Sequence, residues 1–194
     1  LAIIAYDPMS PISSGALLGD RLRIDFNTVD ENVFYRSLAR AGEDYTTLPT
    51  ILELIGGAGF DRVFVETVGA GQGDVAIREV VDKTAVVLVP GMGDAVQMDK
   101  AGILEIADVF VVNKADREGA NQMAIAVTGM LHLASVSPKW SPPVLLTTAN
   151  TGEGIEDLWA KIQDHREFLA SSGDLEIRRG VQRKREFLEA VEEA

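Results

Sequence analysis

One four-residue motif carries the most specific chemistry in the sequence. Asn113-Lys114-Ala115-Asp116 directly follows an apolar, β-branched run, so its side chains are expected at the carboxyl end of a buried strand. A carboxylate at Asp116 can accept from both the ring N–H and the exocyclic amine of guanine, whereas adenine offers neither donor there. A buried carboxylate left without donors costs roughly 1–3 kcal/mol, which disfavours the wrong base. The motif predicts guanine recognition, with a solvated loop as the alternative.

A second loop is expected beside the first. The run that ends at Thr147 leads into Thr148-Ala149-Asn150, with Thr151-Gly152-Glu153-Gly154 behind it. In an open α/β sheet, binding residues gather at the carboxyl ends of the strands, so both loops should meet at one edge. We expect Asn113 to tie neighbouring loops together and Lys114 to lie along the base or ribose. The predicted nucleotide-binding set is Asn113, Lys114, Asp116, Thr148, Ala149 and Asn150.

Three acidic residues predict a cation near a phosphate. Asp7 follows the first apolar run, Asp20 lies in the glycine-flanked stretch from Gly15 to Arg21, and Glu66 ends another apolar run. Carboxylate oxygens around a nucleotide phosphate are ligands that Mg²⁺ takes. Any one of these acids could instead cap a turn, and the set of three favours Mg²⁺.

Two glycine-rich segments could approach an anion or rearrange as switch loops: Gly69-Ala70-Gly71-Gln72-Gly73 and Gly91-Met92-Gly93-Asp94. Neither fits a dinucleotide fingerprint, because Asp74 and Val96 stand where the third glycine belongs. Guanine recognition should be accompanied by a phosphate loop with Gly-Lys-Ser or Gly-Lys-Thr, and none of the six lysines follows a glycine. Since the chain opens on an apolar run at Leu1, we expect the first strand and its phosphate loop upstream, and little hydrolysis by these residues alone.

Strands and helices must position these groups, and their signals alternate along the chain. The strand candidates are Ala2 to Ala5, Arg62 to Glu66, Thr84 to Pro90, Val109 to Asn113 and Val144 to Thr147. The helix candidates are Leu48 to Gly57, Val75 to Val81, Val96 to Ile106, Gly119 to Leu133 and Glu153 to Leu169. This alternation predicts an α/β fold with a mostly parallel sheet flanked by helices.

The chain is expected to form one domain and a helical arm. Residues 1–170 would be the domain and residues 174–194 the arm, where Ile177, Val181, Leu188 and Val191 recur at helical spacing. The arm could pack on its own sheet or contact another subunit. Its basic residues alternate with glutamates, which favours a solvated helix face over an anion site.

Composition excludes several classes of function. Eighteen basic and thirty acidic residues give a net charge of −12, which disfavours nucleic acid and anionic membranes as partners. No apolar run is long enough to span a membrane. The absence of cysteine excludes thiolate metal sites and is compatible with a reducing compartment, so we expect a cytoplasmic protein. His132 and His165 are predicted to be packing or surface residues rather than metal ligands.

Several motifs together resemble one family, the MeaB or ArgK GTPases associated with methylmalonyl-CoA mutase. These GTPases belong to the SIMIBI class of P-loop NTPases, as do the nickel-enzyme GTPases. The matching stretches are Asp7-Pro8-Met9-Ser10-Pro11, Gly15 to Arg21, Val65 to Gln72, Pro90 to Asp94 with Gln97 and Lys100 to Ile103, and Ile106-Ala107-Asp108 leading to Asn113. The resemblance spans most of the chain.

The resemblance implies a P-loop NTPase G domain that binds GTP or GDP with Mg²⁺. It also implies a GTP-hydrolysing chaperone that gates cofactor loading and protects a cobalamin-dependent acyl-CoA mutase. By this likeness Asp7, Asp20 and Glu66 surround Mg²⁺ and the attacking water, Asp20 lies in the first switch, and Gly69 meets the γ-phosphate in the second. The segment from Gly91 to Lys100 would be a third switch that faces the mutase, and the helix after Gly173 a homodimerisation arm.

The sequence also departs from the family's pattern. The phosphate loop and the N-terminal helices have no counterpart, and residues 41–49 replace a glycine-rich, basic stretch. Met9 and Asn150 also stand where serine or alanine is usual. Two alternatives stay open: a non-hydrolysing interaction module of a mutase complex, and an ATPase or kinase linked to basic amino-acid (LAO/AO) transport. Guanine nucleotide affinity and turnover test the first, and base preference tests the second.

Overall fold

Parallel strands and flanking helices form the described part of the chain. The computed structural model describes residues 1–8, 32–40, 45–67, 72–91, 102–133 and 139–192. The chain divides into two compact units, Leu1–Ala76 and Ile77–Ala194. The predicted division into residues 1–170 and 174–194 stays a prediction.

The described part of the first unit contains a three-stranded parallel sheet and one α-helix. Its elements are β1 (Ala2–Pro8), β2 (Phe34–Arg40), α1 (Leu48–Gly57) and β3 (Val63–Thr67), with the strand order β2-β1-β3. Ala2 and Ile4 of β1 are buried with Ile55 of α1, so the helix packs its apolar side on the central strand. Proline in the first turn of α1 suits a helix start, because the amide it lacks has no partner within the helix.

Strand β2 was not among the predicted strands. Its sequence, FYRSLAR, mixes aromatic, charged and small residues, and Phe34 and Arg36 are exposed. It pairs with β1 at one side of the sheet and lies at its edge. An edge strand needs no continuous apolar run, so a search for such runs passes over it.

The second unit contains another three-stranded parallel sheet, in the order β4-β5-β6. Its elements are β4 (Ala85–Leu88), α2 (Ile103–Ile106), β5 (Val109–Asn113), α3 (Ala120–Leu133), β6 (Val144–Thr147), α4 (Ile155–Ser172) and α5 (Asp174–Glu192). A 3₁₀ helix, Gln72–Glu79, precedes β4 along the chain. The first four residues of β5 are all buried, as expected for a central parallel strand that is covered on both faces.

The observed elements confirm the predicted α/β class. Parallel strands are flanked by helices, and α5 follows α4 through Gly173, whose φ of 76° is a left-handed conformation that favours glycine. The helix predicted over Val75 to Val81 is instead the 3₁₀ helix Gln72–Glu79. Of the helix predicted from Val96 to Ile106, the described part is Ile103–Ile106. Among the described helices, none has the length and apolar character needed to cross a membrane.

Candidate nucleotide-binding site

Two loops leave neighbouring strands of the second unit side by side. Asn113 at the end of β5 and Thr147 at the end of β6 are register partners. Beyond them, the amide of Ala115 donates to the carbonyl oxygen of Thr147 at 2.9 Å. The predicted motif 113–116 and the predicted loop 147–150 therefore lie at the same edge of one sheet.

The side chain of Asn113 joins the two loops. Its Oδ1 accepts hydrogen bonds from Thr147 Oγ1 at 3.3 Å and from the amide of Ala149 at 3.2 Å. Thr147 is buried and Ala149 is exposed, so the contact runs from the sheet to the surface of the second loop. An asparagine at this position fixes the spacing between the loops.

Backbone hydrogen bonds fold the second loop into a compact turn. The amide of Thr148 donates to the carbonyl oxygen of Glu153 at 3.0 Å, and the carbonyl oxygen of Thr148 accepts from the amides of Thr151 and Gly152 at 3.0 Å. Thr148 is itself buried. Because the backbone polar groups of Thr148 are satisfied within the turn, the loop holds its shape without help from a ligand.

Gly154 closes this turn where only glycine fits. Its φ is 75°, and a Cβ built on it would lie 2.2 Å from the carbonyl oxygen of Leu146 in β6. The start of α4 therefore passes directly against the backbone of the strand. The sequence placed Gly154 within the predicted helix Glu153 to Leu169, whereas α4 begins at Ile155. Glycine at a helix start beside a predicted strand end is the available signal for such a close approach.

Lys114 has a strained backbone. Its φ of 58° is the only positive value among the described non-glycine residues. A left-handed conformation costs a lysine about 1–2 kcal/mol, and here the hydrogen bond from the Arg117 amide to the Lys114 carbonyl oxygen and the neighbouring bond of Ala115 hold it. Strain of this kind persists where the surrounding structure over-determines it, which occurs often at binding sites.

Four predicted residues are exposed around this joined pair of loops: Lys114, Asp116, Ala149 and Asn150. The other two, Asn113 and Thr148, are less exposed and take part in the hydrogen bonds that shape the loops. The arrangement thus places an accessible carboxylate and an accessible ammonium group above a rigid backbone. A flat heterocycle with ring and amine N–H donors is a suitable ligand for this carboxylate.

The predicted magnesium ligands lie between positions 7 and 66 of the sequence. Glu66 is exposed near the carboxyl end of β3 and is the register partner of Ala5 in β1, two residues before Asp7. The structure describes the backbone of Asp7, which lies in β1, but not its side chain. Asp20 and Gly69 lie outside the described residues. Among the described residues there is no group of three potential metal ligands. An exposed carboxylate at a strand end suits Mg²⁺ by its chemistry, and the ligand set stays a prediction.

Tyr6 makes two contacts that sequence reasoning missed. Its hydroxyl lies 2.8 Å from Thr47 Oγ1, and its ring stacks on Tyr45 with the centroids 5.5 Å apart. These contacts tie the end of β1, just before Asp7, to the start of α1. A tyrosine directly before an acid at a strand end was the signal available in the sequence.

The fold and the loop pair define a class of protein. Parallel strands flanked by helices, with polar loops at the strands' carboxyl ends, form the α/β arrangement of P-loop GTPase domains. Within this class the chain belongs to the family of methylmalonyl Co-A mutase-associated GTPases, MeaB, whose family model matches residues 1–194.

Curated relatives agree with this family. A Pyrococcus horikoshii protein whose name describes it as a candidate GTPase is 44% identical over 186 residues, which cover 92% of this chain and 58% of that protein. The Escherichia coli GTPase ArgK is 35% identical over 91% of this chain and 55% of its own length. The mouse protein named methylmalonic aciduria type A homolog, mitochondrial, is 34% identical over 95% of this chain and 46% of its own length. The chain thus spans about half the length of these relatives.

Proposed function

We propose that the protein containing this chain binds guanine nucleotides, hydrolyses GTP, and acts as a chaperone for a cobalamin-dependent acyl-CoA mutase. The family and the names of its relatives support a GTPase connected with methylmalonyl-CoA mutase. The observation that carries the guanine-binding part is the loop pair, in which the Asn113 side chain bonds both loops and Asp116 is exposed.

In this proposal Asp116 selects the base. Its carboxylate accepts from the ring N–H and the exocyclic amine of guanine, and Lys114 lies along the base or ribose. Asn113 and Thr148 keep the loops in place, while Ala149 and Asn150 border the ligand. Because the loops are already joined by backbone and side-chain hydrogen bonds, little ordering entropy is lost when nucleotide binds.

The magnesium part of the proposal rests on acids that the sequence predicts as ligands. Glu66, Asp7 and Asp20 are proposed to hold Mg²⁺ and to orient the attacking water, and Gly69 is proposed to approach the γ-phosphate with its amide. When bound, Mg²⁺ neutralises charge on the β- and γ-phosphates. The exposed carboxylate of Glu66 at a strand's carboxyl end supports this assignment.

Partner contacts are assigned to two further segments. Residues 91–100 are proposed to face the mutase, and α5 is proposed to pair two copies of the protein. Support for the second assignment is the set of exposed apolar side chains on α5, at positions 177, 181, 188 and 191. Their helical spacing is that of a helix that packs on another helix.

Base specificity tests the proposal. In the complete protein, calorimetry should show tight binding of GDP and much weaker binding of ADP. Asp116→Asn should weaken GDP binding by about 100-fold, because two charge-assisted hydrogen bonds are lost. The variant should gain affinity for xanthosine diphosphate, since its amide can donate to the carbonyl group that replaces the guanine amine.

The matched control is Glu118→Gln, which removes an exposed acid two residues away and should leave the GDP affinity unchanged. Equal binding of GDP and ADP by the wild type would overturn the proposal, as would unchanged GDP affinity in Asp116→Asn. Tight GDP binding without GTP turnover would overturn the enzymatic part and favour the non-hydrolysing interaction module.

A further inference from the structure

A buried carboxylate at the amino end of β5 holds two arginines from distant parts of the chain. Asp108 is 3% exposed. Its Oδ1 accepts from Arg78 Nη1 at 3.2 Å and from Arg178 Nη2 at 3.1 Å, and its Oδ2 accepts from the Thr84 amide at 2.9 Å and from Arg178 Nη1 at 3.3 Å. Arg78 belongs to the 3₁₀ helix and Arg178 to α5, so one carboxylate joins these two elements.

Asp108 is ionised in this setting. Burial alone would raise the pKa of its carboxyl group, but the hydrogen bonds from Arg178, the charge of Arg78 and the amide of Thr84 outweigh burial and lower the pKa below the ordinary 3.8. Because both arginines bind the same oxygen, Oδ1, the position of one guanidinium affects the contact made by the other.

Residues 78–82, which we name the helix seat, contact α5 repeatedly. The Asp82 carboxylate accepts from Arg179 at 2.9 and 2.7 Å, and the Asp82 carbonyl oxygen accepts from Arg178 at 3.0 Å. The Val81 carbonyl oxygen accepts from Gln182 Nε2 at 3.2 Å, and Glu79 forms an ion pair with Arg185. The first three turns of α5 are therefore attached to one short, continuous segment.

The first two residues of the helix seat, 78 and 79, are the last two residues of an unusually long 3₁₀ helix. The 3₁₀ helix Gln72–Glu79 has eight residues, whereas 3₁₀ runs longer than three or four residues are uncommon because their hydrogen-bond geometry is poor. An α-helix over the same residues would be about 4 Å shorter, since its rise per residue is about 1.5 Å instead of about 2.0 Å. A change between these two forms would alter the turn that carries Arg78 and Glu79 at the start of the seat.

We propose that the helix seat and Asp108 couple the 3₁₀ helix to α5, so that a conformational change in residues 72–79 alters how firmly α5 is held. The helix contains Gly73, the last residue of the first glycine-rich segment. The nucleotide-dependent part of this inference rests on the proposed function, in which that segment responds to the γ-phosphate. The contacts that carry the first part of the inference do not rest on the proposed function.

The first test uses hydrogen exchange of the chain without nucleotide. Arg78 has described contacts with the carbonyl oxygen of Ile106 and with Asp108. Arg78→Gln removes one of the two guanidinium groups that hold Asp108 Oδ1, so the carboxylate that Arg178 binds is fixed less firmly. Amide exchange in the first turns of α5 should therefore speed up by about tenfold. Arg178→Gln should in turn speed exchange in residues 76–81, since coupling between two sites is reciprocal.

Matched controls separate coupling from general destabilisation. Arg166→Gln on α4 and Arg183→Gln on α5 remove exposed arginines and should leave both segments unchanged. Faster exchange confined to residues 77–84 and 106–109 in Arg78→Gln, with α5 unchanged, would overturn the proposal. An even increase over β5, β6 and α5 would also overturn it, since α5 would then respond only to global unfolding.

The second test asks whether nucleotide uses this coupling. In the complete protein, exchange in α5 is compared with GDP and with a non-hydrolysable GTP analogue, in wild type and in Arg78→Gln. The proposal expects a difference of several-fold in the wild type and its loss in the variant, with nucleotide affinity unchanged in calorimetry. If nucleotide binds and α5 does not respond, the coupling proposal fails while the proposed function stands. If no nucleotide binds, the proposed function fails, and the first test still decides whether the seat couples the two helices.

Discussion

The two ends of β5 are built on different physical principles. At the carboxyl end, Asn113 joins two loops whose shape is fixed by backbone hydrogen bonds and glycine geometry, with exposed side chains above them. At the amino end, the buried carboxylate of Asp108 holds two arginines by charge. One strand thus carries a pre-shaped binding edge at one end and a network of ion pairs at the other.

The two ends of β5 should therefore respond differently to amino-acid substitutions. The carboxyl end should tolerate substitution of its exposed side chains, because these contribute little to the stability of the loops. The stability of the amino end should depend on every member of the ion-pair network, because a buried charge that has lost its partner destabilises the fold. We therefore expect the largest losses of stability at the amino end, on the side of the strand away from the predicted ligand.

The substitution Asp108→Asn should produce the largest effect. It leaves two guanidinium groups together with no carboxylate to bind, and breaking a buried ion pair in this way should reduce the free energy of unfolding by about 3 kcal/mol. Chemical denaturation of the purified chain measures this loss. Asp82→Asn is the control: its ion pair with Arg179 is partly exposed on both sides and should contribute less than about 1 kcal/mol. Equal losses in the two variants would contradict the contrast between buried and exposed pairs.

Acid should reproduce the effect of that substitution. The pKa of Asp108 is lowered in the folded chain, so the folded state binds this proton less readily than the unfolded state. The stabilisation is therefore present above pH 3.8 and lost as the pH falls through the lowered pKa. Asp108→Asn should remove this component of the acid sensitivity.

The sequence predicted the carboxyl end of β5 better than the amino end. Asn113-Lys114-Ala115-Asp116 is a contiguous motif after an apolar run, so local pattern was enough to place it at a strand end. The amino-end network joins Arg78, Asp108 and Arg178, which are far apart in sequence, and no local pattern links them. The basic residues of α5 were predicted to be a solvated face, whereas Arg178 contacts a buried acid. The available signal was Asp108 itself, a lone carboxylate between apolar residues that needed donors from elsewhere.

Edge position and helix type were also difficult to predict. Strand β2 lies at a sheet edge and lacks the apolar run that identified the other strands. The 3₁₀ form of residues 72–79 differs from an α-helix in hydrogen-bond pattern and not in composition, so periodicity predicted only a helix there. Both depend on tertiary surroundings that a single sequence does not display.

A further prediction concerns the backbone geometry of the carboxyl end. Gly154→Ala places a methyl group 2.2 Å from the Leu146 carbonyl oxygen and adds the strain of a positive φ. Gly152→Ala adds a similar strain at φ +80°, but nothing lies within 4 Å of its new Cβ. We expect losses of about 2–3 kcal/mol for the first variant and about 1 kcal/mol for the second. Thermal and urea unfolding of the two variants give the comparison, and equal losses would mean that the close approach of α4 to β6 is not needed.

The smallest expected effect is a pH dependence at the amino end. His165 is fully buried, and its ring lies 4.7 Å from that of Trp140. Its Nε2 is 3.5 Å from Asp108 Oδ1, but neither ring nitrogen forms a hydrogen bond within the described structure, so we interpret this contact as packing of a neutral ring.

Burial is the main cause that lowers the pKa of His165. Asp108 acts in the opposite direction, while Arg178, Lys83 and Arg78 add to the lowering. The unfolded chain takes up a proton near pH 6.5 that the folded chain resists, so the contribution of neutral His165 to stability is present above pH 6.5 and decreases as the pH falls towards the lowered pKa. His165→Phe keeps an aromatic ring beside Trp140 but cannot be protonated, and should flatten the decline in unfolding free energy just below pH 6.5.

The control for this measurement is His132→Gln, because His132 is exposed on α3. That variant should keep the wild-type decline, since the buried ring is still present. A decline that survives in His165→Phe would show that another group takes up the proton. A flattened decline, together with the acid sensitivity expected from Asp108, would identify the amino end of β5 as the place where protonation lowers the stability of the fold.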